Sequence, residues 1–157
     1  MTLLAEYRDA RRDEDVARLR RIISLRAMVA MGMTQRQIGD ALGISQPAVS
    51  QQLRHAPDLD GVHPEALKEA AGPVLKALAA DHGYRQLAVF GSVARGEARQ
   101  DSDIDLLVDA PAGTSSFAFI RFKQLIEQVL GREIDLIAYG GLKPEMDDDI
   151  RRDAVLL

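Results

Sequence analysis

The spacing of apolar residues divides the chain into a helical first part and a second part in which helices and strands alternate. In the first part, apolar residues recur every three or four positions and predict a helix over residues 13–30, which Gly32 ends. Thr34 is a good N-cap for a second helix, and Ser45 for a third, with Pro47 in its first turn. The apolar positions of the first helix are Val16, Leu19, Ile22, Ile23 and Ala27.

The second part follows a linker at residues 55–64 that contains Pro, Gly and Asp. Its short apolar runs are typical of strands, and longer amphipathic runs separate them. A Gly72-Pro73 pair is expected to kink or interrupt the first of these helices. The predicted fold class is α+β, with an all-helical N-terminal domain followed by a small mixed β-sheet with helices. The predicted elements are helices at 64–81, 92–98, 116–130 and 144–157 and strands at 86–90, 102–108 and 133–138.

Charge is distributed unevenly over the 157 residues, whose net charge is -4. Residues 1–57 hold 9 basic and 6 acidic side chains, whereas residues 58–157 hold 11 and 18. A basic front and an acidic back predict two domains, 1–57 and 58–157, with different partners. The chain has no cysteine, which excludes disulfides and thiolate metal sites. No apolar run approaches the roughly 18 residues of a membrane span, and the N-terminus does not resemble a signal peptide, so a cytoplasmic location is expected.

The segment MTQRQIGDALGISQPAVSQQLR, residues 33–54, has the build of a helix-turn-helix. Gly39 is small where two short helices must approach closely, and Gly43 supplies the turn. Such a unit places its second helix in the major groove of DNA, and one unit binds a half-site, so a homodimer or a partner complex is expected. The apolar contacts between the helices are predicted at Ile38, Leu42, Ile44, Val49 and Leu53.

Polar residues around the third helix are the candidates for DNA contact. Serine and glutamine side chains at its start can hydrogen-bond base edges, and Gln46 suits adenine. Arg36 and Arg54 are candidates for phosphate contacts, which position a protein without reading the sequence. The alternative is a three-helix packing unit whose polar face is only solvated. The full set of predicted DNA-binding residues is Thr34, Arg36, Ser45, Gln46, Ser50, Gln51 and Arg54.

Two carboxylates stand inside an otherwise apolar strand. Asp103 and Asp105 are two positions apart, so they face the same side of the strand while Ile104 faces the other. Like charges that close repel and raise one pKa unless a cation intervenes. Oxygen-only ligands suit Mg²⁺ or Mn²⁺ rather than zinc. The alternative is a solvated strand face without function.

A third carboxylate, Asp135, has the same setting in REIDLIAY. If the two strands are neighbours, Asp135 joins the cluster from the side. Three carboxylates around two Mg²⁺ ions would form the clamp for in-line phosphoryl or nucleotidyl transfer. A lone carboxylate at a sheet edge is the alternative reading of Asp135.

The Gly91-Ser92 pair supplies the second half of this candidate site. It ends one strand and opens a short helix, where glycine lets a phosphate approach the backbone N–H groups. The Ser92 hydroxyl can donate to a phosphate oxygen. Arg95 and Arg99 follow one and two turns later and could meet the charge of a triphosphate. No Gly-Lys-Ser/Thr follows the glycine, so this is not a Walker loop.

The stretch GSVARGEARQDSDIDLLV, residues 91–108, resembles the signature of the DNA-polymerase-beta-like nucleotidyltransferase superfamily, a Gly-Ser followed by Asp-x-Asp. The chain from about residue 64 to 157 is similar to the minimal nucleotidyltransferases. By that resemblance Gly91 and Ser92 contact nucleotide phosphates, and Asp103, Asp105 and Asp135 bind metal and are catalytic. The resemblance also implies a small mixed sheet with helices on it.

Many minimal nucleotidyltransferases are antitoxins paired with a HEPN-type ribonuclease toxin. The resemblance implies transfer of AMP from ATP to a tyrosine hydroxyl of that toxin, with operator DNA as a second partner through which the protein represses its own operon. Only about twenty residues follow the third strand, so an added acceptor-holding domain like that of antibiotic-modifying relatives is not expected here. Two alternatives stay open: a transcription regulator with a non-catalytic nucleotide-sensing module, and a nucleotidyltransferase that acts on small molecules such as antibiotics.

Overall fold

The fold joins an N-terminal set of helices to a four-stranded sheet. The computed structural model describes all 157 residues. None of its helices combines the length and the apolar character needed to cross a membrane. The helices are α1 (Thr2–Ala30), α2 (Gln35–Leu42), α3 (Gln46–Arg54), α4 (Pro64–Asp81), α5 (Gly91–Ala94), α6 (Ser116–Leu130) and α7 (Asp148–Asp153). The strands are β1 (Arg85–Phe90), β2 (Ile104–Asp109), β3 (Ile134–Ala138) and β4 (Val155–Leu156).

Side-chain caps fix the two short N-terminal helices as the sequence predicts. The Thr34 hydroxyl accepts from the backbone N–H of Gln37 at 3.1 Å, and the Gln37 side chain accepts from the Thr34 N–H at 2.9 Å, which forms a capping box. Ser45 caps α3 by accepting from the N–H of Ala48 at 3.2 Å. A Cβ on Gly39 would lie 2.7 Å from the Ile44 carbonyl oxygen, so only glycine fits where α2 meets the turn.

The sheet has the strand order β3-β2-β1-β4. β1 is antiparallel to both β2 and β4, whereas β2 and β3 are parallel. The mixed pattern confirms the predicted α+β class. Because β2 and β3 run the same way, their first residues lie at the same end of the sheet, which is also the end at which β1 finishes.

Helix α1 belongs to both parts of the molecule. Ile23 and Ala27 pack into the main core of 22 buried residues, which is shared with α4, α6 and the sheet. Leu25, on another face of α1, packs with Ile38 and Val49 in a separate small core. The Arg26 side chain also donates to the Val129 carbonyl at 2.9 Å. The helix-turn-helix therefore packs on a helix that also packs against α4 and α6. The domain division at residue 57 stays a prediction.

Several predicted boundaries were wrong. Helix α1 begins at Thr2 rather than near residue 13, since Leu, Ala, Glu and Arg favour a helix even without an apolar stripe. The helix after Gly91 ends at Ala94 rather than 98. The C-terminal helix predicted from 144 is only α7, and the chain then adds β4 to the free edge of β1. Helix α4 runs through Pro73 without interruption.

Candidate active site

Strand register places two of the three predicted carboxylates beside each other. Asp105 in β2 is paired with Asp135 in the parallel strand β3. Phe90, the last residue of β1, is the partner of Asp105 on its other side. The neighbours Ile104 and Leu106 are buried, so the alternation of the strand turns the carboxylate away from the main core. The condition under which Asp135 was expected to join the cluster, that β2 and β3 are neighbours, is therefore met.

Asp103 lies at the entrance of this pair rather than within it. It is exposed and precedes the first residue of β2. Its charge still acts on Asp105, because it is one of the groups that raise the pKa of that carboxyl. No group of three or more His, Cys, Asp or Glu side chains in the structure is arranged to hold a metal ion. The structure thus brings Asp105 and Asp135 together and leaves Asp103 at the rim.

Burial raises the pKa of Asp105 to about 6, with a hydrogen bond to Asp135 and the negative charges of Asp135 and Asp103 as further causes. The Arg95 guanidinium acts in the opposite direction. Two adjacent carboxylates of this kind are a site at which a cation can bind in place of a proton. A carboxyl pKa raised in this way is typical of functional sites, because adjacent acidic groups destabilise the fold.

Gly91 leaves room for the Asp105 carboxylate. Its φ of 72° lies in the left-handed region that glycine adopts without strain. A Cβ at this position would overlap the Asp105 carboxylate oxygen. Only glycine can therefore turn the chain from β1 into α5 at this position and also let the Asp105 carboxylate lie against the backbone.

The other predicted nucleotide contacts follow directly after this turn. Ser92 is half-buried in the first turn of α5. Arg95 stands at the end of α5, where its guanidinium pairs with Glu97 and Asp153. Arg99 is exposed beyond it. The structure therefore gathers Gly91, Ser92 and Arg95 at the end of the sheet that carries the carboxylates.

Lys123 is a residue that the sequence reasoning missed. It lies on α6 and lines an open cleft of about 260 Å³ together with Phe90, Asp105 and Asp135. Its ammonium is the cationic side chain of that cleft and can meet phosphate charge there. The signal was hidden, because a lysine in an amphipathic helix reads as an ordinary solvated position until the sheet beneath the helix is known.

A larger cavity of about 670 Å³ lies at the opposite end of β1 and β2. Tyr84, Pro111, Phe117 and Met31 are among the residues that line it. No acidic side chain lines this cavity, so its size does not make it the better candidate for phosphate or metal chemistry. The smaller cleft has both acidic side chains and a lysine.

The donor set of the small cleft fits a hard divalent cation. Asp105 and Asp135 offer only oxygen ligands, which Mg²⁺ and Mn²⁺ prefer. Magnesium is usually held by one or two carboxylates together with substrate phosphates, so a pair of acids beside a phosphate-accessible turn is sufficient. The raised pKa of Asp105, caused first by burial and then by the neighbouring Asp135 and Asp103, agrees with a site where a cation would stabilise the ionised carboxylates.

The residues predicted to contact DNA lie along the surface of α2 and α3. The amide of Gln46 donates to the Gln35 side chain at 2.7 Å, and Arg54 donates to the Ser50 hydroxyl at 3.2 Å. The Thr34 and Ser45 hydroxyls are occupied as helix caps, so their contribution to DNA contact would be secondary to holding the helices. Of the remaining five, Arg36, Gln46, Gln51 and Arg54 are exposed and Ser50 is half-buried.

Comparison with known proteins agrees with this arrangement. The family profile described as "Nucleotidyltransferase domain" matches residues 74–157, more than half of the chain. A second profile, "Sigma-70, region 4", matches residues 17–57, which contain the helix-turn-helix. The second match and the capped helices together confirm a region of helix-turn-helix type.

Individual relatives give the same result. Protein adenylyltransferase MntA of Thermococcus cleftensis is 39% identical over 80 residues, which are 51% of this chain and 81% of the relative. A candidate protein adenylyltransferase of Methanocaldococcus jannaschii is 40% identical over 74 residues, which are 47% of this chain and 80% of the relative.

A solved structure of a candidate minimal nucleotidyltransferase is 39% identical, has a TM-score of 0.53, and covers 66% of this chain and 99% of its own. The residues that match the family profile, 74–157, include the whole sheet with the Gly91 turn and the acidic strand. The chain belongs to the nucleotidyltransferase domain family as a minimal nucleotidyltransferase, an enzyme that carries a helix-turn-helix region at its N-terminus.

Proposed function

We propose that the protein transfers AMP from ATP to a hydroxyl group on a partner protein, with Asp105 and Asp135 at the reactive centre. The observation that carries this proposal is the pairing of these two carboxylates across β2 and β3, directly below the Gly91 turn. Two relatives carry the name of protein adenylyltransferases, which supports both the nucleotide and the kind of acceptor.

Each residue of the cleft has a role in this proposal. Gly91 and Ser92 bind the phosphates through the backbone and the hydroxyl. Lys123, which lines the cleft with the carboxylates, balances phosphate charge from the side of α6. Asp105 lies against the Gly91 turn, where its carboxylate would hold the cation and help to orient the acceptor's hydroxyl.

Asp105 and Asp135, with Asp103 at the rim, would hold Mg²⁺ or Mn²⁺, and two ions are expected. When bound, such ions lower the pKa of an attacking hydroxyl and neutralise charge on the leaving pyrophosphate. The protein's own contribution is to fix the two carboxylates in one register, so that neither has to reorganise when the nucleotide arrives.

A protein acceptor suits the exposure of this site. Asp135 is exposed, and the cleft that it lines together with Asp105 is small and open. A second protein can therefore present its hydroxyl directly to Asp105. We take a tyrosine of a HEPN-type toxin as this acceptor, so that AMP transfer silences the toxin and the protein acts as an antitoxin.

The helix-turn-helix region supports a second activity on operator DNA, by which the protein would regulate its own operon. Its candidate base-contacting residue Gln46 is exposed at the start of α3. One such unit reads a half-site, so a homodimer or a hetero-oligomer with the acceptor would supply the second half.

The test is a label-transfer experiment with the product of the neighbouring gene as acceptor. ATP labelled at the α-phosphate should mark the acceptor in the presence of Mg²⁺, and ATP labelled at the γ-phosphate should not. The Asp105→Asn variant is the control and should give no label. ATP binding without transfer would favour a nucleotide-sensing regulator instead, and label on an aminoglycoside would favour a small-molecule enzyme.

A further inference from the structure

The guanidinium of Arg95 is already engaged by two carboxylates. Its Nε donates to Glu97 Oε2 at 3.0 Å, and its Nη1 donates to Asp153 Oδ2 at 2.6 Å. Arg95 follows the Gly91 turn directly, since its backbone N–H donates to the Gly91 carbonyl at 3.1 Å. The positive charge of Arg95, which follows the Gly91-Ser92 turn, is therefore balanced by the protein's own carboxylates.

Asp153 reaches this position from the C-terminal end of the chain. It is the last residue of α7, and the next residues form β4, in which Val155 pairs with Val89 of β1. The backbone N–H of Leu157 donates to the Leu87 carbonyl at 3.0 Å, which holds the end of the chain on the sheet. The Asp153 side chain is 27% exposed against 67% for Glu97, so Asp153 is the better shielded of the two partners.

The three side chains carry one positive and two negative charges. This cluster therefore has a net charge of about -1 at pH 7, the value expected for two ionised carboxylates and one guanidinium. Such a group repels phosphates unless Arg95 exchanges one of its partners. The influence of Arg95 extends as far as Asp105, whose pKa it lowers, so the cluster is electrostatically part of the same end of the sheet.

We propose that Asp153 competes with the nucleotide phosphates for Arg95, so that the C-terminal segment sets the affinity of the site for polyphosphates. This inference rests on the proposed nucleotide-dependent function. A nucleotide gains Arg95 only by displacing Asp153, and the displacement is more favourable the more phosphate charge the nucleotide carries. Triphosphates therefore lose the most affinity to this competition, and Asp153 is a positioning residue that lowers ATP affinity through Arg95.

Removal of the competing charge should tighten ATP binding by a small factor. Partly exposed ion pairs contribute little, and we expect Asp153→Asn to lower the Kd for ATP about threefold. The gain should be smaller for ADP, smaller again for AMP, and absent for adenosine. A change that merely loosened the fold would affect the four ligands alike, so this graded response separates competition from a structural effect.

The experiment is calorimetric titration of the full chain in Mg²⁺ buffer with ATP, ADP, AMP and adenosine. The matched control is Asp149→Asn, which makes the same charge change at an exposed position of the same helix. Thermal unfolding without nucleotide reports whether each variant is folded. If Asp153→Asn is unstable, Glu97→Gln replaces it, with a smaller gain in the same order because Glu97 is more exposed.

The inference is supported if Asp153→Asn binds ATP more tightly than Asp149→Asn does and the gain falls with the number of phosphates. It is overturned if the two variants bind ATP equally, if Asp153→Asn binds it more weakly, or if adenosine gains as much as ATP. Equal binding by the two variants leaves the proposed function intact, whereas wild-type protein that binds no ATP contradicts both.

Discussion

The helix-turn-helix and the sheet hold their functional residues by different means. Helices α2 and α3 rest on a small core of Leu25, Ile38 and Val49, and their candidate DNA contacts lie on the surface. The sheet stands on 22 buried residues and holds Asp105 partly covered beside a second acid. One region thus places exposed polar groups by local caps, and the other places charged groups by long-range strand register.

The difference shows where each region is vulnerable. A capped helix on a small core loses its shape when one buried side chain shrinks, because few other contacts support it. The β2–β3 pair, supported by a large core, should keep its shape when one of its acidic residues is substituted. Such a substitution should abolish transfer without unfolding the sheet. Changes in the two regions should therefore separate DNA binding from transfer.

The largest effect is expected from Asp105→Asn. Transfer of AMP should fall by at least about a thousandfold, because the amide cannot hold the cation or accept a proton. DNA binding should stay within a factor of two. Label transfer from α-labelled ATP and operator titration of the same preparation measure the two. Retained transfer would contradict the assignment of this carboxylate.

Gly91→Ala should damage the same site through the backbone. The alanine would adopt a left-handed φ and overlap the Asp105 carboxylate, which together should cost about 2–3 kcal/mol of stability and most of the transfer activity. Gly140→Ala is the matched control, since a Cβ there meets nothing within 4 Å. Denaturant unfolding is the measurement. Equal stability of the two variants would show that the turn tolerates a side chain.

Val49→Ala tests the helix-turn-helix from its own core. Loss of two buried methyl groups should cost about 2 kcal/mol and reduce DNA binding markedly, while transfer stays near the wild-type rate. Leu42→Ala, which truncates a side chain that is half exposed on α2, is the comparison. Hydrogen exchange of residues 35–54 reports the local opening. A parallel fall in transfer would mean that the two regions form one cooperative unit.

Gln46→Ala should weaken operator binding about tenfold without change in transfer, the effect of losing one bidentate base contact. Gln124→Ala, the same change at an exposed position on α6, should leave operator binding unaltered. Binding is measured at fixed salt, because phosphate contacts make it salt-dependent. Unchanged affinity and sequence preference would remove Gln46 from the base-reading surface.

The smallest effect concerns pH. The folded-state pKa of Asp105 is about 6, above its ordinary value near 4, so the folded protein binds more protons than the unfolded chain between these two values. The free energy of unfolding therefore falls as pH rises through this window, and the whole penalty is present above pH 6. Asp105→Asn should accordingly be more stable than wild type at pH 7.5, by about 1 kcal/mol for a partly screened carboxyl.

The stability difference between Asp105→Asn and wild type should shrink as pH falls towards 4 in metal-free buffer. There the Asp105 carboxyl of the folded wild type is protonated, so it is as neutral as the amide of the variant. Thermal unfolding at pH 4.5, 6 and 7.5 measures it. A difference that does not change with pH would contradict the raised pKa of Asp105.

Local signals in the sequence were sufficient for the caps, the helix-turn-helix and the strand that carries Asp105. Thr34 and Ser45 act within three residues of themselves, and period-two alternation needs only its own strand. The sequence missed β4 because a two-residue strand has no pattern of its own and forms only where β1 offers an open edge. It missed the N-terminal half of α1 because helix propensity without an apolar stripe leaves no periodic signal.

The candidate site divides in the same way. The Gly91 turn and the acidic strand could be predicted, since glycine and paired acids are unusual in an apolar run. Lys123 and Asp153 could not be predicted. The role of Lys123 depends on which helix lies beside the cleft, and that of Asp153 on where the end of α7 lies relative to Arg95. The pairing of Asp105 with Asp135 was predicted only on the condition that β2 and β3 are neighbours.

The central claim is that these two paired acids gather a divalent cation and the phosphates of ATP. The most direct measurement is a crystal of the full chain grown with Mn²⁺ and a non-hydrolysable ATP analogue, examined for anomalous scattering. We predict a manganese peak between Asp105 and Asp135, bridged to the phosphates that lie along Gly91 and Ser92. An analogue bound elsewhere, or bound here with no peak beside the two carboxylates, would contradict the account.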